Sequence, residues 1–216
     1  TITLTAGSIG TYALGGQIEV STDHVASAVT SAGGLYIAGL KSLEIGAVST
    51  ANGLADANIG TNDGTLTLSA QILAKQATVF AATDTITMTA ASAINTTAGA
   101  TVTANGDLTV TEITASDATS QTLLSANGAI IDGSAAEPTT TWNVDTQGLI
   151  DLTALTIGSD TDAFDIRTDV LNAVTANDGA TLNVASRTGT VTLTEANAID
   201  GTFTLQTTDN LKITQD

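Results

Sequence analysis

The chain of 216 residues has no Cys, one Pro, one His, one Trp and only five basic residues against 22 acidic ones. Without Cys there is no disulfide framework, no thiol chemistry and no thiolate-bound metal. A single Pro leaves almost every residue its backbone N–H for hydrogen bonding. Aromatics make up 3% of the chain, too few rings to fill the centre of a compact globule. They suffice for a narrow interior packed with Ile, Leu, Val and Ala. The bases are Lys41, Lys75, Arg167, Arg187 and Lys212, and the net charge is −17. Such a surface repels phosphate backbones and anionic lipids, which excludes nucleic acid as a partner. No apolar run approaches the ~18 residues of a membrane span, so no membrane insertion is expected.

What the chain has instead is a recurring phrase. Thr, apolar, Thr, apolar, Thr or Ser stands at 1–5, 65–69, 85–89 and 190–194, with looser copies at 17–21, 107–111, 181–184 and 202–205. Strict alternation marks a strand with one buried and one wet face. Thr, the commonest residue here, suits it: the β-branched chain favours strands and the hydroxyl stays hydrated. The copies at 65, 85 and 107 lie 20 and 22 residues apart, and those at 181 and 202 lie 21 apart. Recurrence at that distance marks a solenoid, whose coils bury their apolar faces only against one another.

The sequence therefore predicts an all-β fold, a right-handed parallel β-helix of about ten coils of roughly 21 residues. Residues 1–216 form one solenoid segment. Shorter runs, at 35–38, 43–45, 129–131 and 152–157, supply the other strands of each coil. Asn62-Asp63-Gly64 and Asn177-Asp178-Gly179, each read as preceding a strand, mark corners. So do Asn52-Gly53, Asn105-Gly106, Asn127-Gly128, Gly15-Gly16 and Gly33-Gly34, because Gly and Asn tolerate positive φ. Segment 23–32 reads as loop or strand, and 70–77 as the far side of a coil. Alternation turns Ile2, Leu4, Ile18, Val20, Leu66, Leu68, Ile86, Met88, Leu108 and Val110 inward. It does the same for Leu182, Val184, Val191, Leu193, Phe203 and Leu205. Both ends of the sequence fall in mid-strand without a polar cap. That predicts open strand edges there, as in a window cut from a longer array.

The style of repeat resembles that of large bacterial surface proteins of the filamentous haemagglutinin type. The residues that carry it are Gly/Asp-led strands with Ala-Ile turns: Gly106 to Thr111, Ser125 to Ile130 and Glu195 to Gly201. The resemblance implies a right-handed β-helical shaft, exported to the cell surface or secreted, that projects binding regions outward. It also implies partners of three kinds: further coils of the same or like chains, surface glycans, and host receptors.

Candidate sites are few. Asp160-Thr161-Asp162-Ala163-Phe164-Asp165, followed by Asp169, is the densest acidic stretch. Carboxylates so spaced at a corner suit weak Ca²⁺ binding at Asp160, Asp162 and Asp165, and Ca²⁺-dependent lateral bundling of rods. The D-x-D-x-D-G loop is not completed, however, and solvated loop acids are the expectation, with no metal or cofactor site. His24 reads as an exposed loop residue without a catalytic partner. Trp142 follows a loop, Gly133 to Thr141, that contains Pro138, and is expected to turn inward or shield it. No G-x-S-x-G, H-E-x-x-H or phosphate-loop pattern occurs, and the bases are scattered. The functional expectation is thus a non-enzymatic stalk or display segment of an extracellular adhesin or filament. Two alternatives are a carbohydrate-active β-helix enzyme, which needs grouped acids, and an ice-binding solenoid built on the Thr rows.

Overall fold

The computed structural model describes residues 1–11, 16–134 and 142–214. The only helix among them is a three-residue 3₁₀ turn, Ala51–Gly53, at one of the expected Asn-Gly corners, where Asn52 has φ 55°. Everything else regular is strand, and every named strand pairing is parallel. The chain winds as a β-solenoid of about nine turns, one fewer than the sequence suggests.

Each coil has three faces. The first carries Leu66–Leu68, Ile86–Met88 and Leu108–Val110, the second Ile72–Ala74, Ile94–Thr96 and Ile113–Ala115, and the third Ala57–Thr61, Ala77–Ala81 and Ala100–Ala104. On the first face, ladder pairing stacks Leu66, Ile86, Leu108, Ile130, Ile157, Ala180 and Phe203 in one inward column, in steps of 20, 22, 22, 27, 23 and 23 residues. The long step is the coil that contains the Gly133–Thr141 loop. Positions 135–141 of that loop, Pro138 included, lie outside the described residues, as does Gly15.

Alternation decides burial as the sequence implies. Met88 and Leu193 are buried while Thr87 and Thr192 stay half-exposed. Ile18 is the exception, at 42% exposure. It shares the inward side with buried Val20, but its strand pairs only with Leu35–Gly39, and no other named strand lies against its far side. Ile2, Leu4, Phe203 and Leu205 are half-buried against the core for the same reason. Strands Ile2–Ala6, Ile18–Val20, Thr202–Gln206 and Asn210–Ile213 each pair on one side only. The expected open edges are thus present.

Of the two readings open for segment 23–32, loop or strand, the structure has strand, over His24–Thr30. Other details depart from the sequence reading. Asn177-Asp178-Gly179 does not precede a strand but bends one, Val170–Ala185, which runs across all three faces with a register shift at that point. The copies at 181 and 202 stack with a step of 23, Thr181 against Thr204, and not 21.

The core is aliphatic, with Phe164 its largest fully buried side chain. Among the buried polar atoms of the described residues, the Thr122 hydroxyl is fully enclosed and has no hydrogen-bond partner. Val has nearly the same shape and no hydroxyl to desolvate. Thr122→Val is therefore expected to raise stability by about 1 kcal/mol, read as a higher denaturant midpoint at unchanged slope.

Candidate functional site

A polar concavity of about 390 Å³ lies outside the first face of the last three coils. Its origin is a register effect. Ladder pairing stacks Thr156, Gly179 and Thr202 in one outward column. Gly179, at φ +127°, leaves a notch between the two Thr, where a Cβ would sit 2.9 Å from the Thr202 carbonyl oxygen. Ser159 and Asp162 exchange backbone hydrogen bonds of 2.7 and 3.2 Å, folding 159–162 into a tight turn that raises one wall. That wall carries Asp160, and Asp178 also lines the groove. The Thr181 hydroxyl donates to Asp160 at 3.4 Å, a contact too long to be strong. No lining residue is basic. The arrangement offers two carboxylate acceptors and several hydroxyls over a floor of small residues.

The sequence grouped Asp160, Asp162 and Asp165 as one candidate cation site, and the fold separates them. Asp160 faces the groove, whereas Asp165 is 4% exposed within strand Phe164–Arg167 and is not the solvated loop acid expected. Its backbone N–H donates to Asn143 Oδ1 at 2.7 Å. Asp169 is engaged elsewhere, accepting from the Ser186 hydroxyl (2.6 Å) and from the N–H groups of Arg187 (2.7 Å) and Thr188 (3.0 Å). Among the described residues no three His, Asp or Glu side chains come together in a way that holds a metal.

Partial burial raises the Asp169 pKa, and the hydrogen bonds from Ser186, Arg187 and Thr188 together outweigh it, leaving the group below its ordinary value. A carboxylate depressed in the folded state stabilises above its unfolded pKa, about 4, and loses that contribution as pH falls through the folded value. Asp169→Asn is therefore expected to flatten the fall of stability below about pH 4. Denaturant midpoints for parent and variant from pH 6 to 2.5 check this, and parallel curves would refute it.

His24 opens a strand instead of lying in a loop. Thr1 Oγ1 is 3.3 Å from its Nδ1, and Glu44 Oε1 is 3.9 Å from its Nε2. Trp142 is half-buried. The Thr rows form an in-register block of three rungs on the first face, Thr67, Thr87 and Thr109. Glu44 occupies the equivalent position on one side and Ile131 on the other, so the lattice stops there.

The two Arg residues have a structural employment that sequence reasoning missed. Asp145 is held bidentately by Arg167, through Nε at 3.0 Å and through Nη2, and also by Arg187 Nη2. Arg187 also donates from Nε to the Thr146 carbonyl at 3.0 Å. The carboxylate beside Arg167 holds its guanidinium above the usual value. One carboxylate thus ties three successive coils together. A charge ladder with steps of 20 and 22 residues (145, 167, 187) was the available signal. No protein-family model, no curated protein and no solved structure matches the chain.

Proposed function

We propose that this chain is a non-enzymatic structural segment of a bacterial extracellular adhesin or surface filament, whose work is reach and display. The observation that carries this reading is the stack itself: about nine coils on one continuous aliphatic core under a hydroxyl-rich exterior. Each coil adds one strand spacing, about 4.8 Å, so the rod is roughly 45 Å long. Ladder hydrogen bonds and stacked aliphatics make it stiff, and the charge of −17 keeps it soluble. Its partners in this reading are further coils of its own or like chains at the ends, with surface glycans or host receptors beyond.

Deletion and replacement in displaying bacteria test it. Attachment should fall when the segment is removed and return when an unrelated rod of equal length takes its place. Return only with this sequence would show that the segment itself binds or reacts, and the stalk reading fails. Modularity gives a physical check as well. Leu66, Ile86 and Leu108 occupy one column, so excising 66–107 removes two whole coils and joins equivalent positions. The product is expected to fold cooperatively and to be shorter by about 10 Å in solution scattering. Loss of folding would contradict coil-by-coil independence.

The groove beside Asp160 and Asp178 favours the carbohydrate-active alternative as a second reading, because hydrolysis needs paired acids. Turnover of a polysaccharide, abolished by Asp160→Asn or Asp178→Asn, would establish it in place of the first.

A further inference from the structure

We infer that the groove between the Asp160 turn and Asp178 is a binding site for a neutral saccharide of about two rings. The first argument is elimination by chemistry. The lining holds two carboxylates and no base, so an anionic ligand is repelled and no counter-charge exists to hold it. The exposed lining is mostly polar, which leaves an apolar ligand little surface to bury against. A polyol fits both facts. Ionised carboxylates accept charge-assisted hydrogen bonds from ligand hydroxyls, and Thr and Ser hydroxyls both donate and accept.

The second argument is shape. The volume of about 390 Å³ lies in the range of small-molecule sites, about 300–1,000 Å³. It opens along the rod axis, over three rungs that span about 10 Å, as an extended ligand requires. The notch at Gly179 lets a ring lie against the backbone between Thr156 and Thr202. The third argument is unspent capacity. Asp160 receives Thr181 only at 3.4 Å, so its carboxylate keeps acceptor capacity for a ligand hydroxyl. Asp165 and Asp169, by contrast, are withdrawn from the surface or engaged. The site needs no catalysis, and its test reads the groove of the isolated chain directly whereas deletion and replacement read attachment of whole cells, so the two readings can fail separately.

The test uses ligand-observed and protein-observed NMR on the whole chain with cellobiose, maltose, lactose and N,N′-diacetylchitobiose, each up to about ten times a Kd of about 1 mM. At least one is expected to shift the amides of Thr156, Gly179, Thr181 and Thr202. Asp160→Asn with Asp178→Asn should weaken binding about tenfold or more. Thr202→Arg, on an exposed position at the rim, should fill the groove and abolish binding. Parent-like thermal unfolding of each variant shows that the fold is intact. The inference is overturned by shifts at the groove with none of the four sugars, by shifts that survive both variants, or by a groove that responds to Ca²⁺ alone.

Discussion

Asn143→Asp is expected to destabilise the protein by about 4 kcal/mol, more than Asn143→Ala at about 3. Asn143 is completely buried where the long coil rejoins the stack. Its Nδ2 donates to the Val110 carbonyl at 2.9 Å, to Asp132 Oδ1 at 2.7 Å and to Ser134 Oγ at 3.3 Å, while its Oδ1 takes the Asp165 N–H. One amide thus joins residues 110, 132 and 165, which belong to three different coils. The Ala variant strands the Asp165 N–H and takes one donor each from the Val110 carbonyl and from Asp132 at a fully buried position. The Asp variant does worse, because an ionised oxygen then faces three acceptors, one of them the buried carboxylate of Asp132. The two variants also differ in pH response. The deficit of Asn143→Asp should shrink as pH falls, since a protonated carboxyl regains a donor, while that of Asn143→Ala lacks this component. Equilibrium unfolding at pH 7 and pH 4 checks both points, and Asp tolerated better than Ala would discard this account of the corner.

Gly99→Ala and Gly148→Ala should each cost about 3 kcal/mol. Between the second and third faces four described corners take only two or three residues, whereas that at 116–120 takes five and is closed by a hydrogen bond of 3.0 Å from Ser120 N–H to the Asp117 carbonyl. Asp117 Oδ1 accepts from both the backbone N–H and the hydroxyl of Thr119, at 2.8 Å each. This wider corner needs room above and below. Gly99 provides it on one neighbouring coil, where a Cβ would meet the Gln121 carbonyl oxygen at 2.0 Å, and its φ of +112° disfavours any side chain. Gly148 provides it on the other, with the Ser120 carbonyl oxygen at 1.9 Å from a Cβ. Backbone cannot yield as a side-chain tip can. Thermal unfolding of the two variants measures the effect, and losses under about 0.5 kcal/mol would show a corner with slack.

Much of this architecture is legible in the order of residues, and the rest fails for definable reasons. Alternation reports in or out and nothing else. That is why Leu66 and Leu193 are both correctly inward, yet the phrase at 65–69 lies on the first face and that at 190–194 on the third. Face is set by corner lengths, and these vary from coil to coil. Ile18 shows the second gap: direction is local, but burial also needs a rung on the far side. Asp160 to Asp165 shows the third. Six residues that read as one acidic stretch contain the end of a turn and the start of a strand, which send their carboxylates to different environments. The groove shows the fourth. Gly158, Gly179 and Gly201 recur at 21 and 22 residues, but the rungs there step by 23, so the three are not in register and Gly179 alone opens the notch between Thr156 and Thr202.

The direction of the ladders has a mechanical consequence. Hydrogen bonds between rungs run along the rod axis, so tension on the two ends loads the outermost rung first and the others in turn. A coil held at about 4.8 Å of length releases about 70 Å of chain when it peels away. A pulled rod of this kind does not snap; it pays out slack and keeps its load low. Unravelling from the C-terminal side runs freely only as far as Arg187, where the Asp145 clasp spans two coils at once and must break before the winding can continue to open.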